Sequence, residues 1–277
     1  MYYMKKKRTI FKILFLIILV AIFVFITQNK MHEYDGTCEN GDCINGFGKK
    51  KYFNGDIYEG SFKNKQPSGK GKMDYSDGRV YNGNFLKGRK EGFGKIVCPD
   101  GRIFTGEFKN DKLYKGKYVF TDGTIYNGEY KNEKLHGYGE LTFTDGRLYK
   151  GQLYEDRRHG KGLFVWSSGK KYEGDFNDDF MHGDGIFIFP DGAKYEGQFK
   201  KDLFHGKGRF TYTDGKILKG IFKRGKPPKK GILEYPDGRI YEGDLKNDLP
   251  DGLGTMTYPD GTKQTGKFLK DQYSGSN

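Results

Sequence analysis

A Tyr-x-Gly triplet returns along this chain every 23 residues, and no other feature constrains the fold as strongly. The starts are Tyr58 with Gly60, Tyr81 with Gly83, Phe104 with Gly106, Tyr126 with Gly128, Tyr149 with Gly151, Tyr172 with Gly174, Tyr195 with Gly197, Leu218 with Gly220 and Tyr241 with Gly243. One step, from Phe104 to Tyr126, is 22 residues. Recurrence at a fixed period defines an architecture in which each copy packs on its neighbours. The triplet is followed by Gly-x-Gly, as at Gly160, Gly183 and Gly206, and then by a turn such as Asp191-Gly192 or Asp214-Gly215. Partial copies flank the array, at Gly46-Phe47-Gly48 with Asn54-Gly55 and at Thr265-Gly266. The third copy departs from the rule, with Tyr114 replacing the first glycine of its Gly-x-Gly.

Alternation within a copy specifies strands. Tyr195, Gly197 and Phe199 fall on one face and Lys194, Glu196, Gln198 and Lys200 on the other. Gly208, Phe210 and Tyr212 share a face in the same way, so the two segments predict a hairpin, and Asp-Gly turns link each hairpin to the next. Strand glycines are costly unless a neighbouring aromatic ring covers the gap, so Tyr and Phe are expected to form the core. Composition agrees. Glycine, 43 of 277 residues, is at about twice its usual share, and aromatics reach 16% although only 35% of residues are hydrophobic. The expected fold is all-β: an elongated single-layer meander of about ten stacked hairpins, each adding about 10 Å.

These motifs resemble the MORN repeat family, whose pattern is Tyr-x-Gly, an aromatic two residues later, Gly-x-Gly and Asp-Gly. The resemblance spans Cys38 to Gly275. It implies attachment, spacing or assembly at a membrane, with phospholipid contact and self-association as further uses.

The N-terminus is of another kind. Residues 1–8 are a basic tail, and residues 9–28, apolar apart from Lys12 and the ends, predict a transmembrane helix or uncleaved signal anchor. Residues 29–37 are a linker and 38–277 the repeat array. Cleaved signal peptides are the rival reading, but Thr27-Gln28-Asn29-Lys30 offers no small-x-small site. Lys5 to Arg8 place the N-terminus in the cytoplasm and the repeats across the membrane, in a periplasm, lumen or extracellular space. Cys38 and Cys43 form a candidate disulfide there, the alternative being two free thiols.

The formal charge of +13 is a weak pointer to polyanions, because Lys5, Lys6, Lys7, Arg8, Lys12 and Lys30 carry six charges ahead of any acid. Beyond them Lys and Arg alternate with Asp and Glu, which argues against a nucleic-acid partner. Catalysis finds no signature. His136, His159, His182 and His205 recur one per copy, about 10 Å apart, too far to share a zinc ion. No Gly-x-Ser-x-Gly elbow, calcium loop or phosphate-binding loop occurs. The expectation is a non-catalytic protein without cofactor or metal, a cell-envelope hydrolase being the remote rival.

Two departures from the repeat rule mark candidate surfaces. Leu148, Tyr154, Leu163, Val165, Ile186 and Ile188 occupy the nominally polar face, an apolar patch for a protein partner or a homodimer. The eighth copy carries Lys223, Arg224, Lys226, Lys229 and Lys230 within eight residues, a candidate anionic-lipid loop. The sequence therefore reads as a membrane-anchored scaffold or protein-interaction module, with a phospholipid-binding module as the alternative.

Overall fold

The computed structural model describes residues 35–275; the basic tail, the apolar segment 9–28 and linker residues 29–34 lie outside the described residues. Among the described residues there is no helix, hence none long and apolar enough to cross a membrane. The chain forms two compact units, one ending at Tyr118 and one beginning at Val119. This division falls within the 22-residue step from Phe104 to Tyr126.

In the first unit the strands Gly36–Gly41, Phe47–Tyr52, Ile57–Lys63, Gln66–Asp74, Val80–Leu86, Arg89–Val97 and Ile103–Lys109 pair antiparallel in chain order. Lys112–Val119 follows. In the second unit the same meander runs from Ile125–Lys131 through Gln272–Gly275. The hairpin meander predicted from alternation is present in both.

Register places the strand glycines opposite one another. In the second unit Gly128 faces Gly139, Gly139 faces Gly151, and the row runs on through Gly162, Gly174, Gly185, Gly197, Gly208, Gly220, Gly231, Gly243, Gly254 and Gly266. Over this row lie the signature tyrosines. A Cβ on Gly185 would stand 2.5 Å from Tyr172 Cε2, and one on Gly174 would stand 2.6 Å from Tyr172 Oη. The covering ring belongs to the same copy, reaching over its own glycine and the one across the hairpin.

Tyr58, Tyr81, Tyr126, Tyr149, Tyr172, Tyr195 and Tyr241 are all fully buried. Each hydroxyl donates to the carbonyl three residues on, as in Tyr172 to Asp175 at 2.7 Å and Tyr241 to Asp244 at 2.9 Å, so a buried polar group is satisfied locally. Coupling between copies comes from phenylalanine. Phe176 stands edge-on to its own Tyr172 at 5.1 Å and to Tyr149 of the preceding copy at 5.4 Å; Phe85 does the same between Tyr81 and Tyr58. Such pairs contribute about 0.5–1.5 kcal/mol beyond the area they bury.

The turns have two chemistries. At Asp191-Gly192 the glycine has φ +92° and open space where a Cβ would be, so only its backbone conformation selects it. The hairpin tips are two-residue turns with both residues left-handed, such as Lys201-Asp202 at φ 50° and 66°. Here the aspartate binds the preceding copy: Asp202 N donates to Met181 O at 3.0 Å while Asp202 Oδ1 accepts from Met181 N at 2.8 Å. Asp156 with Leu135, Asp179 with Arg158 and Asp111 with Lys90 repeat this exchange. Asp202→Ala is expected to cost about 1–2 kcal/mol, from a lost charge-assisted bond and a strained left-handed alanine, whereas Asp202→Asn keeps most of that stability. Urea denaturation of the three proteins measures the difference.

Candidate functional site

On the outward face of the second unit, the band above the glycine row is bare of side chains, and a groove of about 740 Å³ runs over it. Its floor is backbone at Gly151, Gly162, Gly174, Gly185 and Gly197. Leu163 and Ile186 form an apolar rim, and both stand opposite Glu173 in register. Lys150 and Lys161 line the same groove with Glu173 and Asp184. Lys161 Nζ lies 2.7 Å from Asp175 Oδ1, and Asp175 Oδ2 accepts the Asp184 backbone N–H at 3.0 Å.

The structure divides the six apolar residues singled out in the sequence. Leu163 and Ile186 meet in the groove. Leu148 pairs with Val165 in register, and Val165 and Ile188 both stand opposite Lys171 on the same face. Tyr154 lies apart, at a hairpin tip between His136 at 5.2 Å and His159 at 5.9 Å. Tyr138 is a lining residue that the sequence reading passed over; the signal was an aromatic at x of Gly-x-Gly, where the neighbouring copy has Lys161.

The eighth copy is more ordered than a charged loop. Lys223 and Lys226 close a tight turn by bridging each other, and Pro228 is buried against Gly220, in the place the missing tyrosine ring would fill beside Leu218. Lys223, Arg224, Lys226, Lys229 and Lys230 remain exposed. Lys230 begins a strand and holds Asp244 Oδ1 at 3.2 Å. The Leu253 N–H, and after it the Lys230 ammonium, hold the Asp244 carboxyl below its ordinary range.

At the start of the array Cys38 and Cys43 are joined as a disulfide with Cα atoms 6.0 Å apart. Cys98, which takes the position of Tyr75 in its copy, is buried, and burial pushes its thiol up. Trp166 occupies the same column and packs edge-on to Phe164 at 4.5 Å. Among the described residues, no group of three or more His, Cys, Asp or Glu side chains could hold a metal ion.

A family model described as the MORN repeat matches residues 58–78, 81–101, 126–146, 149–171, 172–194, 195–217 and 241–263, more than half of the chain. The chain belongs to the MORN repeat family. The MORN matches pass over the third and eighth copies, which are the two that lack the signature tyrosine: Phe104 there stacks on Tyr118 at 4.2 Å, and Leu218 is backed by Pro228. No curated protein matches the chain. Among solved structures it is similar to the TCP10 domain of Danio rerio CPAP in complex with a STIL peptide, with 17% identity over 84% of this chain and all of that one at TM-score 0.37. It is also similar to the SAS-4 TCP domain of Drosophila melanogaster bound to a proline-rich motif of Ana2, with 14% identity, 71% and 88% coverage and TM-score 0.35. Virginiamycin B lyase from Staphylococcus aureus aligns at 15% identity over 73% of this chain and 70% of that one, with TM-score 0.16. At these TM-scores none of the three carries an argument about this MORN protein.

Proposed function

We propose that this MORN protein is a non-catalytic scaffold that is held at a membrane by residues 9–28 and docks a protein partner on the outward face of its second unit. The observation that carries the reading is the groove itself: a bare backbone floor with Leu163 and Ile186 on its rim and ionic groups of both signs around it. A floor of paired strands offers no reacting group, whereas an apolar rim flanked by charge suits an extended protein segment. Two copies meeting face to face would use the same residues. Leu163→Glu with Ile186→Glu leaves the tyrosine core untouched and is expected to lower capture of a stoichiometric partner, or self-association in sedimentation, at least about tenfold. Unchanged capture and unchanged sedimentation would dispose of this face.

The exposed cluster of Lys223, Arg224, Lys226 and Lys229 supports a second reading, contact with anionic phospholipid. It predicts that residues 31–277 float with anionic but not neutral liposomes, and that flotation weakens with salt and with Lys226→Glu plus Lys229→Glu. Without flotation, residues 9–28 remain as the membrane contact of the proposal.

A further inference from the structure

The copies of the first unit carry a lysine directly after the last glycine of the Gly-x-Gly segment: Lys49, Lys72, Lys95 and, after Gly116 in the third copy, Lys117. At the same place the second unit has Glu140, Leu163, Ile186, Arg209, Ile232 and Thr255, so the fold does not require lysine there. Register lines these lysines up. Lys49 and Lys72 both stand opposite Glu59, Lys72 and Lys95 both stand opposite Asn82, and Thr105 follows Lys95. A Cβ on Gly106 would meet Gly116 Cα at 2.6 Å, which brings Lys117 into the same row.

Side chains alternate across a strand, so the residues on either side of each row glycine face outward, away from the tyrosine rings. Those before the glycines form a second row, Phe47, Lys70, Phe93 and Lys115, and bare glycine backbone lies between the two rows. Phe47 is 65% exposed and Phe93 62%. Among the described residues no carboxylate pairs with Lys70, Lys95, Lys115 or Lys117. Lys49 reaches Glu39 at 3.4 Å and Lys72 reaches Asp74 at 2.8 Å, but these lysine side chains stay 44% and 46% exposed, and such surface pairs yield to a competing carboxylate. Within the two rows and their cross-strand partners, Glu59 and Glu107 are the acids set against the six lysines.

Spacing selects the guest. Each copy adds two strands, so successive lysines of the first row stand about 10 Å apart. An extended polypeptide with three residues per turn advances about 3.1 Å per residue, so every third side chain returns to one edge after about 9.3 Å. We propose that this face of the first unit docks an acidic, extended segment of a partner protein. Carboxylates at every third residue pair with the row from Lys49 to Lys117, and apolar side chains on a second edge of the segment lie on Phe47 and Phe93. The face is separate from the groove of the second unit and from the cations of the eighth copy.

The full chain, in neutral detergent, is titrated against amidated, fluorescein-labelled (Glu-Pro-Leu)4, whose prolines favour the three-residue turn and whose carboxylates match the lysine row; fluorescence anisotropy reads binding. Saturable binding is expected, weakening with salt, about tenfold or more tighter than for (Gln-Pro-Leu)4 and for a peptide of the same composition with its glutamates in one block. Lys72→Gln with Lys95→Gln is expected to weaken it about tenfold or more, Lys72→Arg with Lys95→Arg to leave it within a few-fold, and Phe93→Ser to weaken it about threefold or more. Leu163→Glu with Ile186→Glu, which tests the groove of the second unit, is expected to bind the peptide as the parent does, so the two surfaces stand or fall separately. No binding by the parent, equal binding of the glutamine or block peptide, unchanged affinity in the Lys72, Lys95 glutamine variant or in Phe93→Ser, or loss in the Leu163, Ile186 variant would each overturn the proposal. So would displacement of the labelled peptide by a uridine pentanucleotide or by phosphatidylserine vesicles at a lower charge concentration than unlabelled peptide requires, since the face would then serve nucleic acid or lipid.

Discussion

Gly174→Val is expected to unfold the copies around it while distant copies of the second unit stay folded. A side chain at this position meets Asp184 O and Gly185 Cα at 2.6 Å as well as Tyr172 Oη, and two of those three atoms are backbone that cannot rotate away. The strands must part or the tyrosine must leave its carbonyl, so the loss should be about 3 kcal/mol or more. Because each copy touches chiefly its neighbours, amide protection should fall in Arg157–Val165, Lys171–Asn177, Phe180–Ile188 and Lys194–Lys200 and persist in Leu249–Thr257. Gly192→Ala is the contrast. Open space surrounds that position, so only the left-handed backbone is penalised, by about 1 kcal/mol. Uniform loss of protection through the second unit in Gly174→Val would show a global cooperative core and refute the local scheme.

Raising the pH above 10 is expected to dismantle the array abruptly. Burial pushes Tyr81, Tyr195 and Tyr241 up to about 12, and pushes Tyr58, Tyr126, Tyr149 and Tyr172 higher still. A phenol whose folded value lies above its unfolded value of 10 contributes stability that is fully present below pH 10 and lost as pH climbs through the folded value. Seven such groups act in the same direction. Circular dichroism should therefore hold to about pH 10 and collapse between 10 and 12, with tyrosinate absorbance of the buried rings rising in the same step. Tyr172→Phe should be about 1 kcal/mol less stable at neutral pH, having lost its bond to Asp175 O, and the deficit should shrink above pH 10. A deficit that grows with pH would contradict this sign.

Much of the fold was legible because alternation and glycine spacing are local signals. Tyr195, Gly197 and Phe199 announce a strand face without any knowledge of what lies beside them. What stayed hidden depends on register. Lys201-Asp202 does not look like a hairpin turn, since neither residue is glycine, and the grip of Asp202 on Met181 appears only once copies are stacked. Glycines that look alike do different work: Gly183, at φ +55°, sits where the pairing slips, while Gly185 makes room for a ring. Of the candidate site, Leu163 and Ile186 were found by comparing copies, but the groove they rim follows from the bare glycine band, and Tyr138 was overlooked as an ordinary strand residue. The eighth copy reads from its five cations as a charged loop, whereas Pro228 within it is buried against Gly220 where other copies place the tyrosine ring.

The tip contacts also bear on how such a chain can change its length. Asp111, Asp156, Asp179 and Asp202 each grip the residue 21 positions back, and Phe85, Phe176 and Phe199 each touch the tyrosine of the copy before. A gene segment spanning one such copy, duplicated in place, therefore brings its own bonds to both new neighbours. Unequal crossing-over can lengthen or shorten the array without a compensating mutation, provided the cut preserves the period. The 22-residue step breaks that condition, so the two units would be expected to gain and lose copies independently of each other.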